Sequence, residues 1–362
     1  MAAFNRQQIN ALSGYCDIEV IAPIPWIYLL KNKGCQQVRE KNGVIDHHPT
    51  YFYTPRILRE WYGHFFYISI KSLAMALLEE KQFDVIFTSW LYPDAWAAAK
   101  LARRYKLPLF VKVHGTDVNS LTGGSTITRR SLQVARQAEK VICVSNALKE
   151  RLIQLGCPEN KLEVLYNGID STIFYAQDKN KVRKQLQIDR DEFVVLYVGN
   201  LKMEKGLYEL ISAFKKITMT VNSQLRLVII GEGVYRSKFE QLVTVMSLSG
   251  KVQFLGRLTH GKIALWMNAA SVLCLPSYNE GVPNVILEAL SCGAKVVATN
   301  VGGIPELDCG NGMLELVPPR SVDSLARAIV STVEKATREA ILPPFISSWE
   351  QNAQKLLSIF TG

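Results

Sequence analysis

Short β-branched and apolar runs alternate with stretches of helical period along the whole chain, the pattern of parallel strands joined by crossover helices. In the first half, Ile18–Ala22, Val85–Thr88, Leu109–Val113, Val141–Val144 and Leu162–Leu165 predict strands. A first helix starts at Met1, and others are predicted at Asp94–Tyr105, Ser125–Ala138 and Asn146–Leu155, the last stopped by Gly156. The second half repeats the theme with strands at Val194–Val198, Leu225–Ile230, Val252–Leu255, Val272–Leu275 and Lys295–Thr299. Its helices are predicted at Gly206–Lys216, Ser237–Ser247, Ile263–Ala270, Pro283–Cys292 and Ser321–Ala336. The polar, charged stretch Asp170–Lys184 predicts a linker. Two open α/β domains with a cleft between them follow, and ligands of such sheets sit beyond the carboxyl ends of the strands.

Size and composition agree with this picture. The chain has 362 residues, 48% of them hydrophobic and 20% charged, which fits two globular domains and excludes a disordered or fibrous chain. No apolar run approaches the ~20 residues that span a bilayer. Ile57–Leu78 comes nearest, and Arg59, Glu60, His64 and Lys71 interrupt it. Asn5, Arg6, Gln7, Gln8 and Asn10 stand where a signal peptide would be apolar, so none is expected. Seven cysteines without a CxxC pair argue against a disulfide framework and a structural zinc site. A cytoplasmic protein is expected, with peripheral contact at the inner face of the membrane left open.

The net charge of +10 suits a protein that meets anions. Residues 1–172 hold 21 Lys and Arg against 15 Asp and Glu, so the excess is spread over both halves. No element carries the clustered cations and interleaved aromatics of a nucleic-acid binder, and no nucleic-acid partner is expected.

Six loops after strands carry chemistry. His114-Gly115-Thr116-Asp117 follows the third predicted strand, Ser145-Asn146 the fourth and Asn167-Gly168-Ile169-Asp170 the fifth. In the second half come Gly199–Gly206, Gly231-Glu232-Gly233, and Pro276–Glu280 leading into Gly281-Val282-Pro283-Asn284. Gly281 permits close approach of a ligand, and Pro283 at a first helical position opens a helix whose free N–H groups and dipole suit a phosphate. A helical path from Glu280 to Glu288 would set two carboxylates about 10–12 Å apart on nearly one side, a span for a sugar at one end and a ribose at the other. That is too wide for a two-carboxylate glycosidase.

Glu280 and Glu288 within Glu-Gly-Val-Pro-Asn-Val-Ile-Leu-Glu-Ala resemble the nucleotide-sugar-dependent retaining glycosyltransferases of family 4, which have the GT-B fold. Lys205-Gly206 after Val-Gly-Asn-Leu, His114-Gly-Thr-Asp, Asn167-Gly-Ile-Asp and Gly302-Gly-Ile-Pro-Glu306 fall in that family's order. The resemblance implies two Rossmann-like domains facing each other across a cleft. Residues 1–172 would bind the acceptor, with 345–362 packing back on them, and 173–344 would bind the nucleotide-sugar.

By the same resemblance, Lys205 would neutralise the departing diphosphate, Glu288 would bind the ribose and Glu280 the transferred sugar. Gly281, Val282 and Pro283 would touch sugar and phosphate, His114 would face the sugar from the opposite domain, and Leu255, Gly256 and Arg257 would lie beside the base. Gly199, Asn200, Gly231 and Gly233 complete the donor site. Neither metal nor cofactor is expected. The donor would be a UDP- or GDP-sugar, and the acceptor a hydroxyl, lipid-linked in one reading, within bacterial surface polysaccharide or lipopolysaccharide synthesis. A GT-B epimerase or phosphorylase, and a silent binding subunit, stay open as rivals.

Two departures from the family stand out: Asn200 occupies a position often held by Arg, with Lys202 as a candidate replacement, and the family's first strand with its glycine loop is expected to be lacking. Other motifs have plainer readings. Asp189-Arg190-Asp191 precedes a strand and reads as a solvated turn, His47-His48 as a solvated loop, Asp117 as a cap on the turn after it, and Arg56–Tyr67 as a packed helix before an interfacial one. Gly231-Glu232-Gly233 lacks the third glycine of a dinucleotide fingerprint.

Overall fold

The computed structural model describes residues 3–31, 38–41, 43–221, 224–334 and 346–362. It comprises two compact units, Met1–Gly168 with Trp349–Gly362, and Ile169–Ser348. The predicted boundary at 344 and 345, and the last two residues of the helix predicted at Ser321–Ala336, lie outside the described residues.

The first unit contains β1 (Glu19–Ile21), β2 (Ile24–Pro25), β3 (Val38–Lys41), β4 (Val44–His47), β5 (Thr50–Tyr51), β6 (Ile86–Ser89), β7 (Leu109–Val113), β8 (Lys140–Cys143) and β9 (Leu162–Val164). Strands β6 to β9 form a parallel sheet in sequential order, and β7 is buried throughout. A second sheet, β1-β4-β3, includes an antiparallel hairpin that the sequence reading overlooked. Its signal was Asn42-Gly43, and Gly43 has the positive φ of +73° that tight hairpin turns need. His47 therefore lies on β4 and not in a solvated loop, with Nε2 2.7 Å from Glu19 Oε2, while the His48 ring meets the Ala22 carbonyl at 2.9 Å. The expected helix at Arg56–Tyr67 begins only at Arg59 as a 3-10 turn, becoming regular at Tyr62–Glu80. The C-terminal helix Trp349–Thr361 packs against the first helix, Ala3–Leu12, with Leu12, Ala353 and Leu356 joining Phe110 and Ile142 in one core.

The second unit is one parallel sheet of β10 (Phe193–Val198), β11 (Leu225–Ile230), β12 (Val252–Gly256), β13 (Val272–Leu275), β14 (Val296–Thr299) and β15 (Leu314–Val317). The order is β12-β11-β10-β13-β14-β15. It runs outward in both directions from the β10/β13 pair, so the chain leaves these neighbours toward opposite sides and opens a crevice at their carboxyl ends. The predicted linker is not one. Lys179–Gln185 is a helix capped by Asp178, and buried Arg183 donates to the carbonyls of Ala269, Asp189, Arg190 and Glu192. Charge there marks a buried staple for backbone oxygens, which composition alone cannot tell from a solvated linker.

Candidate active site

Two loops leave the switch point, Gly199–Gly206 after β10 and Pro276–Pro283 after β13. They close on each other at Gly206, which has φ +69° and stands so near β13 that a Cβ would be 2.0 Å from the Pro276 carbonyl oxygen. Only glycine fits. The Tyr278 N–H donates to the Glu204 carbonyl at 2.9 Å, and Lys205 Nζ donates to Glu280 Oε1 at 2.6 Å. Both side chains of this ion pair keep some exposure, 23% and 12%. A cation and a carboxylate, both reachable, thus meet at the mouth of the crevice.

Further glycines draw the neighbouring loops in. At Gly231, φ is +141° and a Cβ would stand 1.9 Å from the Gly199 carbonyl oxygen; at Gly233 it would stand 2.3 Å from that of Leu201. At Gly302, with φ +56°, it would stand 1.9 Å from the Glu280 carbonyl oxygen, and the Gly303 N–H donates to Gly281 at 2.8 Å. Asn200 is exposed, its carbonyl held by the buried Tyr197 hydroxyl at 3.0 Å. Lys202 is also exposed, 3.6 Å from Glu204.

Tyr278 and Glu209 escaped the sequence reading. The Tyr278 hydroxyl lies 2.8 and 2.9 Å from the two Glu209 carboxylate oxygens, and the Arg320 guanidinium sits 4.6 Å from the centre of its ring. The cluster holds the loop that carries Glu280. Its signal was a glutamate on the apolar face of the helix Leu207–Thr220, among Leu210, Ala213 and Ile217.

The helix that follows runs Asn284–Ser291, with Pro283 as its N-cap and not its first helical residue. Proline provides no capping side chain, so the N-terminus keeps its appetite for an anion. Because helical geometry begins only at Asn284, the helical-path spacing between Glu280 and Glu288 does not hold. Glu280 is placed instead by Gly302, Gly303 and Lys205. Glu288 is half-buried, and burial pushes its carboxyl up to about 7. Leu255 and Gly256 belong to β12 rather than to the loop after it; the Gly256 carbonyl accepts from the Gly231 N–H at 2.8 Å, and Arg257 beyond is exposed. Val282 is buried.

His114 belongs to the first unit, just past β7. Its ring lies 4.7 Å from that of Phe4 and 5.3 Å from that of Trp90. Burial, then the nearby Lys112, hold its pKa well below the usual histidine range, so the imidazole is neutral at pH 7. Its Nε2 is buried, without a hydrogen-bond partner among the described residues. Asp117 caps backward, accepting from the His114 and Gly115 N–H groups at 3.0 Å each, and not the turn after it as expected. Asn167 is buried with its amide oxygen bonded to Lys112 at 2.8 Å, and Gly168 lies under Trp349, where a Cβ would be 2.8 Å from the Trp349 Cα. Asn167-Gly168 is therefore a packing junction.

The sequence matches two family profiles, Glycosyltransferase Family 4 over residues 27–172 and Glycosyl transferases group 1 over residues 178–355. A Bacillus subtilis protein assigned as the teichuronic acid biosynthesis glycosyltransferase TuaC is 28% identical over 341 residues, covering 90% of this chain and 83% of its own. Sucrose-phosphate synthase of Thermosynechococcus elongatus superposes with a TM-score of 0.78 at 21% identity, over 99% of this chain and 88% of its own. HepE of Anabaena, solved with UDP and glucose, gives 0.73 at 23% identity, over 99% and 94%. The fold is GT-B, as the resemblance implied.

Proposed function

From the premise that the chain belongs to the family 4, group 1 glycosyltransferases, we propose that it is a retaining enzyme that moves a sugar from a nucleoside-diphosphate-sugar to a hydroxyl acceptor in building a bacterial surface polymer. The observation that carries this is the Lys205–Glu280 pair, 2.6 Å apart at the switch point of a parallel sheet, just before a helix whose N-terminus has no side-chain cap. Lys205 and that N-terminus are charged to receive a diphosphate, and Glu280 to accept hydroxyls of the sugar. Glu288, with its raised pKa, can both donate to and accept from ribose hydroxyls near neutral pH. Similarity to a protein solved with UDP and glucose supports a UDP-sugar donor, with a GDP-sugar as the other candidate.

In the reaction, the anomeric carbon–oxygen bond to the β-phosphate breaks and the acceptor oxygen bonds on the same face. The acceptor's proton passes to the departing phosphate oxygen. Lys205 and the helix N-terminus hold the charge that develops there, the kind of preorganised stabilisation that carries most of such rate enhancements. His114, neutral and with Nε2 unpartnered among the described residues, is proposed as a hydrogen-bonding residue for the transferred sugar.

Calorimetric titration with UDP, GDP, ADP and dTDP tests the reading, with Lys205→Ala and Glu288→Ala as controls. One nucleotide binding at micromolar affinity, weakened by both substitutions, is the expected result. Absence of binding to folded protein would sink it in favour of a silent subunit. Release of an epimer, or turnover requiring added phosphate, would assign the chain to the other rival chemistry.

A further inference from the structure

A second group of cations lies in the first unit, gathered on the helix Trp96–Tyr105. Lys100 Nζ stands 4.2 Å from the centre of the Trp96 ring and 5.1 Å from that of Tyr67. The Arg130 guanidinium approaches the same indole at 5.3 Å. His64 packs its ring 4.4 Å from Trp96, with Nδ1 buried and unpartnered among the described residues. Gly63 allows this crowding, since a Cβ there would be 2.7 Å from the Trp96 ring. Among the described residues no carboxylate pairs with Lys100, Arg130 or His64, although eleven other ion pairs are formed. Burial, then Arg130 and Lys100, lower the His64 pKa, so the two half-buried cations round this indole are Lys100 and Arg130, and without a carboxylate partner they form a site for an anion.

Beside it, the chain does the opposite of burying its apolar residues. Phe52, Ile57, Leu58, Trp61 and Ile68 are 63%, 66%, 49%, 47% and 69% exposed. Arg56 and Leu58 hold positive φ values of +68° and +52°, strained for residues with side chains. The segment from Phe52 to Trp61 contains Arg56 and Arg59 against the single acid Glu60. The tip and the cations are joined directly: the Trp61 ring is 5.0 Å from His64, and Arg130 donates to the Glu60 carbonyl.

We propose that this corner of the first unit docks a lipid-borne phosphate, with Lys100 and Arg130 holding the phosphate and the tip Ile57, Leu58 and Trp61 entering the apolar layer. Charge chooses the occupant. An apolar tip flanked by arginines suits an anionic bilayer, where cations and exposed apolar residues reinforce each other. A second protein would leave the half-buried cations without their anion. The proposal deepens the transferase reading by making the acceptor a phosphate-bearing lipid, and it rests on that reading for the acceptor role alone.

Cosedimentation with phosphatidylcholine vesicles, plain or doped with phosphatidylglycerol, tests it. The wild type should bind only the doped vesicles. Lys100→Gln with Arg130→Gln should weaken binding by about tenfold or more, and Ile57→Ser with Trp61→Ser by a similar factor. Lys100→Gln alone, which removes no hydrogen bond, should still weaken it several-fold and guards against a folding artefact from Arg130. Equal binding to both vesicles, or unchanged binding by the Lys100 variants, overturns the proposal. So does competition by sn-glycerol 3-phosphate when the tip variant still binds as the wild type, since the site would then take free phosphate. UDP titration of the same variants should be unchanged. That control separates failure of this site from failure of the transferase reading.

Discussion

Lys112 and Lys205 each belong to the carboxyl-end region of a parallel sheet, one in each unit, and their surroundings give them opposite work. Lys112 lies inside β7, wholly buried, with Nζ donating to Gln8 Oε1 at 3.0 Å and Asn167 Oδ1 at 2.8 Å. Gln8 in turn donates to Asn352 at 2.6 Å, so one lysine ties together the first helix, β7, the loop after β9 and the C-terminal helix. No carboxylate pairs with it among the described residues, and burial lowers its pKa to about 7. Lys205 sits on a loop, partly exposed, against Glu280. Neutral partners in a dry interior make a lysine a clasp for the chain. A carboxylate partner within reach of solvent leaves it placed to exchange that partner for a phosphate.

If that contrast is right, Lys205→Ala has the largest effect, on nucleotide binding and turnover rather than on stability. It should lower kcat/KM for the donor by about 10²–10³-fold, as removal of one preorganised donor does, with little change in the melting temperature. A loss of stability without loss of activity would erase the contrast. Lys112→Ala should do the reverse. A cavity and two orphaned acceptors should destabilise the protein by roughly 3 kcal/mol in urea titration, while UDP affinity in the surviving folded fraction is unchanged.

Acidity sharpens the comparison further. Between pH 7 and the unfolded lysine's 10.5, the unfolded chain carries a proton on Lys112 that the folded chain lacks. Stability therefore rises with pH over that window, by at most about 1.4 kcal/mol per pH unit from this group. Lys112→Met should flatten that rise relative to the wild type, while Lys205→Ala should leave it in place.

The smallest effect expected is at Glu288. Its folded pKa of about 7 lies above the ordinary 4.5, so its contribution is fully favourable below 4.5 and is lost as pH rises through 7. Glu288→Gln should raise stability at pH 8 by about 1 kcal/mol, with partial exposure limiting the gain, while nucleotide affinity falls. A variant that is neither more stable nor weaker in binding would mean that Glu288 faces water and no ribose.

The sequence reading reached most of both sheets because their central strands are buried on both faces, which writes continuous apolar runs such as Phe193–Val198 and Val272–Leu275 into the chain. It also reached the glycine-bearing loops, because a backbone that must turn or approach closely admits few residues, as Gly206 and Gly231 illustrate. Errors fell where polarity was taken as a sign of solvent: Arg183 and His47 are both engaged inside the fold or along its strands. Short strands at β2, β3, β4, β5 and β15 went unseen because runs of two to four residues leave little periodicity to detect.

By itself, then, the order of residues determined which segments become strands and helices and which loops must bend tightly, since those depend on neighbours along the chain. The tertiary structure alone decided that Lys205 meets Glu280, that Lys112 is sealed in with Gln8 and Asn167, and that Arg130 reaches the Trp96 indole. Each of those meetings joins positions thirty or more residues apart. Strand order and helix packing set them, and no local pattern of apolar and polar residues encodes which distant segment will arrive alongside.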